Sequence, residues 1–312
     1  MKVEHLNQAR ARMTLPGMSR DGVRKRLFRV FLRLLHVVPG KGMAMGMLAK
    51  IPGVRKTYHW SFRFFPHEML VEVQGNKMYV RPRDGAVDRE LLITKIYEKG
   101  ETDVFHELIR RGMNVVDLGA NIGYFTLIAA KLVGPEGKVF AFEPEPGNFS
   151  LLQRNVNMNG YENVTLVQKA VSDKNGVEEL YLCSDSWGHS LSSFKRDQGL
   201  ISVPVTSLDQ FFSEDVAIDF IKMDIEGAEG KAVHGMERIL GGRGVKVIAI
   251  EFHPEELQSQ GSSFRQLWDK LTTFGFQFWE MKDRTRKRID FGHALHLANK
   301  GGGCVNLLCL RE

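Results

Sequence analysis

Two short stretches end in side chains of the kind that move protons, Asp224-Ile225-Glu226-Gly227-Ala228-Glu229 and Glu251-Phe252-His253-Pro254. If each stretch closes a strand, alternation sends Glu251 and His253 to one face, and Asp224, Glu251 and His253 converge on one cleft. There His253 can take the proton of a hydroxyl as general base. Alternatively the three can bind a divalent cation, such as Mg²⁺ or Mn²⁺, that lowers the hydroxyl's pKa. Glu226 and Glu229 share a face if a helix has begun, where they also offset its dipole, and Gly227 and Gly230 permit close backbone approach. His189 sits in a polar insertion, Trp187-Gly188-His189-Ser190-Leu191-Ser192-Ser193, which reads equally as an acceptor wall or a surface loop.

A second set suits a ligand rather than a proton. Val115-Val116-Asp117-Leu118 reads as a strand, and Gly119-Ala120-Asn121-Ile122-Gly123 as the turn into the next helix. In a doubly wound sheet that turn approaches the ligand most closely. Gly119 permits its tightness, and Gly123 lets the helix begin close to the strand. Asp117 is the telling residue, because a carboxylate there would repel a pyrophosphate but suits a ligand carrying an ammonium. Glu143, in Phe142-Glu143-Pro144-Glu145-Pro146, follows Gly119 by 24 residues. At that distance an acidic side chain accepts hydrogen bonds from ribose hydroxyls. The bland alternative for Asp117 and Glu143 is helix capping or a solvated strand end.

The elements that must position these groups alternate. Strands are predicted over 114–118, 138–142, 164–169, 220–223 and 245–250, with helices over 124–132, 148–158 and 228–240, which implies a parallel sheet covered on both faces. Ahead of them come a hairpin turning at Gly75-Asn76 and a helix over 91–111. The tail adds a helix over 264–274 and strands over 276–280 and 305–310. With no convincing crossover helix between these two strands, an antiparallel pairing is the simplest connection. The division expected is 1–59 as a basic extension, 60–99 as a hairpin and helix preface, and 100–312 as the core.

With 312 residues, 43% of them hydrophobic and 26% charged, one large core plus an appendage is expected. The net charge of +6 is misleading, since residues 1–60 hold 13 Lys or Arg against Glu4 and Asp21 and leave the remainder near −5. Residues 22–38 have apolar side chains at helical spacing and Arg24, Arg26, Arg29 and Arg33 mostly off that stripe. Such a helix packs on its own domain or rests on an anionic membrane surface. No apolar stretch is long enough to span a bilayer, and Met1 to Arg12 lack the apolar run of a signal peptide. Cys183, Cys304 and Cys309 form neither a disulfide framework nor a zinc site, so a cytoplasmic location is expected, peripheral to the membrane if the basic helix docks there.

Taken in order, Asp117-Leu118-Gly119-Ala120-Asn121-Ile122-Gly123-Tyr124-Phe125-Thr126, Phe142-Glu143-Pro144, Asn155 to Asn159, Ala170-Val171-Ser172-Asp173, Thr206-Ser207-Leu208-Asp209 and Ile221-Lys222-Met223-Asp224-Ile225-Glu226-Gly227-Ala228-Glu229 resemble the successive motifs of the FkbM methyltransferases. The resemblance covers roughly 100–257. It implies a Rossmann-like class I methyltransferase sheet whose final strand is antiparallel, S-adenosylmethionine as cofactor, and O-methylation of a sugar, glycolipid or natural-product hydroxyl. By the same resemblance Asp117, Gly119, Ala120, Asn121 and Gly123 hold the methionine end, Glu143 the ribose, and Ala170 lies near the adenine.

Competing readings are an NAD(P)-dependent oxidoreductase, which the missing third glycine and Asp117 disfavour, and a noncatalytic nucleotide-binding protein. A nucleic-acid acceptor is not expected. Asp224-Ile225-Glu226-Gly227 stands where methylases of nucleic-acid amines carry an Asn/Asp-Pro-Pro-aromatic motif, and an acidic cleft hosts phosphates poorly.

Overall fold

The strands that read as continuous apolar runs are those buried on both faces, and they form the middle of the sheet. In a computed structural model the described residues are 62, 65–183, 189–191, 199–242, 244–282, 285–300 and 303–312. The basic segment 22–38 lies outside them. The chain divides into two compact units, Met1–His67 and Glu68–Glu312. Of the first, the described part includes Phe62 and Phe65, whose rings meet at 4.8 Å.

The second unit opens with a hairpin, β1 (Met69–Val73) and β2 (Asn76–Val80), followed by helices α1 (Ala86–Thr94) and α2 (Lys99–Leu108). Strand–helix alternation then begins with β3 (Asn114–Leu118), α3 (Tyr124–Val133), β4 (Lys138–Phe142), α4 (Pro146–Met158) and β5 (Val164–Val167). A small insertion follows, of β6 (Ala170–Val171), β7 (Gly176–Tyr181), β8 (Leu200–Thr206) and the one-turn α5 (Leu208–Phe211). The alternation resumes with β9 (Phe220–Met223), α6 (Glu229–His234), α7 (Glu237–Gly241), β10 (Val247–Phe252), α8 (Pro254–Ser259) and α9 (Phe264–Thr273). It ends with β11 (Gln277–Lys282), β12 (Thr285–Arg288), α10 (Phe291–Lys300) and β13 (Val305–Leu310).

The main sheet has the order β12-β11-β13-β10-β9-β3-β4-β5. Strands β5, β4, β3, β9 and β10 pair in parallel, whereas β13 runs antiparallel between β10 and β11. This is the Rossmann-like class I architecture expected, preceded by its hairpin. On one face Val116, Leu118, Ile221, Met223, Ile248 and Ile250 pack against Met236, Leu240, Leu257 and Leu271. On the other, Phe105 of α2 meets Phe125 of α3 at 4.7 Å and Phe220 of β9 at 5.0 Å. No helix among the described residues is long and apolar enough to cross a membrane.

Several expectations are corrected. The helix expected over 91–111 is two helices, because Lys95 and Glu98 take left-handed backbone (φ 63° and 43°) and the Thr94 hydroxyl turns back to Glu90 O at 2.8 Å. The helix expected over 228–240 breaks at Gly235, where a Cβ would stand 2.1 Å from the Ser172 carbonyl oxygen. The hairpin turns one residue earlier, at Gln74-Gly75, both with positive φ as a two-residue I′ turn requires. A helix, α10, does lie between β11 and β13, started by Asp290 Oδ1 accepting the His293 N–H at 2.8 Å. The two strands nonetheless pair antiparallel.

Asp88 of α1 is almost fully buried and accepts the Arg81 N–H through Oδ1, while its Oδ2 has no hydrogen-bond partner. Burial pushes its carboxyl up to about 6, against the hydrogen bond and charge of Arg81. The folded state therefore binds this proton more tightly than the unfolded chain. Stability from this residue is complete below about pH 4 and is lost as pH rises through about 6. Asp88→Asn is expected to raise stability at pH 7 by roughly 3 kcal/mol and to bring nothing below pH 4. Urea unfolding at both pH values checks this, and an equal gain at both would reject the assignment.

Candidate active site

The site is built where β3 and β9, adjacent and parallel, both end. Leaving β3, the chain takes left-handed backbone at Gly119, Asn121 and Gly123 (φ 78°, 51° and 98°). A Cβ on Gly119 would lie 1.9 Å from the Asp224 carbonyl oxygen, so the two strand ends meet only because residue 119 has no side chain. Glu143, at the end of β4, receives the Asn121 N–H on Oε2 at 2.8 Å and the Glu145 N–H on Oε1 at 2.9 Å. Burial pushes its carboxyl up to about 8.

Beside this turn opens a cavity. Its wall includes Gly119, Ala120, Asn121 and Ile122 of the turn, then Glu143, Asn148, Ala170 and Val171. The small sheet β6-β8-β7 contributes Leu180, and the residues that follow β7 contribute His189, Ser190 and Leu191. Asp224, Glu226, Lys222 and Tyr97 also line it. Expected residues Asp117, Gly123, Glu251 and His253 are not among the lining residues. Asp117 lies fully buried beneath the turn, with Oδ2 accepting the Thr126 hydroxyl at 2.6 Å.

Lys222, which sequence reasoning left without a role, is the cation of this floor. It sits opposite Asp117 in the β3–β9 register, its Nζ 3.2 Å from Asp224 Oδ2 and 3.5 Å from Gly119 O. Burial opposes its charge, but Asp224 and Asp117 more than offset that and raise its pKa. Its apolar neighbour is Phe125, whose ring centroid is 5.3 Å from Nζ. The signal available was a lysine inside an otherwise apolar strand, Phe220-Ile221-Lys222-Met223. Tyr97 carried no such signal, because its place at the cavity depends on the break between α1 and α2.

Next to Lys222 lies an acidic group around one imidazole. His253 Nδ1 is 3.7 Å from Glu226 Oε2 and its Nε2 is 3.7 Å from Glu251 Oε1, longer than hydrogen bonds. Burial alone would lower the His253 pKa, but Glu251, Glu226 and Glu229 push it up to about 11. Burial pushes Asp224 up to about 7 against the pull of Lys222, and Glu226 up to about 9 against that of His253. Glu226 also holds a left-handed backbone (φ 52°) for a residue with a side chain, a strain found at functional turns. Glu229 caps its own turn, Oε1 accepting the Gly227 N–H at 2.9 Å. Ligand atoms of Asp224, Glu226 and His253 lie within 4.8 Å of one another. The convergent trio thus contains Glu226 where Glu251 was expected, and Glu251 pairs with His253 at its Nε2.

A model described as the methyltransferase FkbM domain matches residues 117–278, half of the chain. The chain belongs to the FkbM methyltransferase family. Among individual proteins, it is 28% identical over 145 residues to Methyltransferase 1 of Beauveria bassiana, covering 39% of this chain and 58% of that one. It is 24% identical over 199 residues to Methyltransferase sdnD of Sordaria araneosa, covering 59% and 74% respectively. A solved S-adenosylmethionine-dependent O-methyltransferase from Thermotoga maritima aligns with a TM-score of 0.39 at 14% identity, over 78% of this chain and 77% of that one.

S-adenosylmethionine is the methyl donor of FkbM methyltransferases, and this cavity fits it. Each Glu143 oxygen keeps a second lone pair, enough for two ribose hydroxyls. Ala170, Val171, Leu180 and Ala228 offer apolar surface for a planar base. At Gly119 the backbone of the turn lines the cavity with no side chain of its own.

Proposed function

We propose that this FkbM methyltransferase methylates a hydroxyl oxygen on a small-molecule, glycan or lipid-linked acceptor. The supporting observation is the position of Asp224, which lines the cavity while its backbone packs on Gly119 of the cofactor turn. When bound, the cofactor supplies an electrophilic methyl on a sulfonium and departs as a thioether. What remains for the protein is to align an oxygen and take its proton. Asp224 is the group in place to take it, at a wall shared by both reactants. Burial raises its affinity for a proton, and Lys222 limits that rise to about 7, so a share of it is ionised at neutral pH and can accept the proton. His253, flanked by Glu226 and Glu251, holds its own proton and serves as a fixed cation, so the base role passes to Asp224. Tyr97, His189 and Ser190 stand around the same space and would orient the acceptor. The acidic lining suits an uncharged hydroxyl better than a phosphate-rich chain.

Transfer of labelled methyl into lipid, glycan and small-molecule fractions of a cell extract tests the reading. Label confined to nucleic acid or protein amines would overturn it. A second reading rests on the approach of Asp224, Glu226 and His253, which could together hold a divalent cation that lowers the hydroxyl's pKa. On that reading exhaustive chelation abolishes transfer and Mg²⁺ or Mn²⁺ restores it. Full activity in chelator rejects the cation and leaves Asp224 as base.

A further inference from the structure

Asn155 of α4 has no solvent exposure, and its amide makes three hydrogen bonds across two separate parts of the unit. Oδ1 accepts the Tyr79 N–H at 2.7 Å, and Nδ2 donates to Tyr79 O at 3.1 Å and to Ile122 O at 2.8 Å. Tyr79 belongs to the hairpin and Ile122 to the cofactor turn. Rotating the amide by half a turn would set its oxygen against two carbonyls, so the network permits one orientation.

Asn159, one helical turn later, repeats half of this pattern. Its Oδ1 accepts the Lys77 N–H at 2.8 Å, and its Nδ2 donates to Lys77 O at 2.7 Å and to Asn155 O at 2.8 Å. Four helical residues rise about 6 Å and two strand residues about 6.8 Å, so the amides match alternate residues of β2. The two asparagines stand where a third strand would pair. Only Asn155 continues to the turn.

At the turn both backbone groups of Ile122 are held by side-chain amides, its N–H by Asn121 Oδ1 at 2.7 Å and its carbonyl by Asn155. Asn121 holds a left-handed conformation (φ 51°) that strains a residue with a side chain, so the turn persists only under such restraint. Gly123 eases the reach, since a Cβ there would come within 2.7 Å of Leu152 Cδ1 and force that buried side chain to shift.

We infer that Asn155 is a positioning residue for cofactor binding, holding the Ile122 peptide in place and fastening the hairpin to it. The inference rests on S-adenosylmethionine occupying this cavity. Its test pairs calorimetric titration of S-adenosylhomocysteine with amide hydrogen exchange of the ligand-free protein, on Asn155→Ala, Asn155→Asp and Asn159→Ala. Asn155→Asp keeps the acceptor for Tyr79 and loses both donors, which covers the case in which Asn155→Ala fails to fold. Both Asn155 variants are expected to bind at least about tenfold more weakly, with faster exchange at Ile122 and Gly123. Asn159→Ala loses as many bonds to the hairpin and none to the turn. It is expected to speed exchange at Lys77 while binding within about twofold of the unaltered protein. Equal weakening by Asn159→Ala, or unaltered binding by Asn155→Asp, would overturn the inference. If the unaltered protein does not bind S-adenosylhomocysteine, the cofactor reading fails, and exchange at Ile122 still decides whether Asn155 restrains the turn.

Discussion

Asp224→Asn is expected to lower methyl transfer about a hundredfold to ten-thousandfold, the range for removing a general base, while S-adenosylhomocysteine affinity changes by no more than about threefold. The amide has the shape of the carboxylate and still offers an oxygen to Lys222 Nζ, 3.2 Å away in the native pair. It cannot take a proton. The backbone of residue 224, which packs on Gly119, is untouched. A loss of rate with unchanged affinity separates a role in the chemical step from one in building the cavity. Single-turnover rates on a saturated enzyme give the first quantity, and calorimetry the second. A variant retaining more than a tenth of the native rate would remove Asp224 from the reaction.

Gly119→Ala is expected to act through the cavity itself. At φ 78° a side chain costs about 1 kcal/mol, and the added Cβ would stand 1.9 Å from the Asp224 carbonyl oxygen. That oxygen is backbone at the end of a fully buried strand and cannot rotate away. Either the turn or the end of β9 must move, and affinity for S-adenosylhomocysteine should fall more than about a hundredfold, since sub-ångström preorganisation is lost. Gly112→Ala is the matched control. It has φ 81° with nothing within 4 Å of its added Cβ, so it carries the conformational cost alone. Its melting temperature should drop by a few degrees with affinity intact. Similar affinities for the two variants would mean that the contact with Asp224 does not shape the site.

The legible parts of this molecule were those in which one local rule governs. The strands Asn114–Leu118, Lys138–Phe142, Phe220–Met223 and Val305–Leu310 fall where their apolar runs begin and end. The turn after β3 was readable because glycine spacing reports backbone shape directly. The small sheet was not, because β7 is mostly exposed and shows no clean alternation, and because β8 contains Pro204. Pro204 is tolerated since β6 pairs only with Val205 and Thr206, leaving the proline's nitrogen unpaired by any strand on that side. The helix α10, between β11 and β13, was not read at all. Glu226 and His253 lie 27 positions apart, and only the β9–β10 pairing brings them together. Asn155 and Tyr79 are 76 residues apart, and no spacing rule links a helix amide to a strand edge.

The small sheet shares no ladder with the main one. A ladder transmits register, so adding one residue within β9 would turn Lys222 and every later side chain of that strand to the wrong face. The connection between β7 and β8 carries no such penalty for β3, β4 or β9, since residues gained or lost there leave the register of those strands unchanged. The wall built on β3 and β9 is bound by the register of the main sheet, and the connection from β7 to β8 on the opposite wall is bound by none of it.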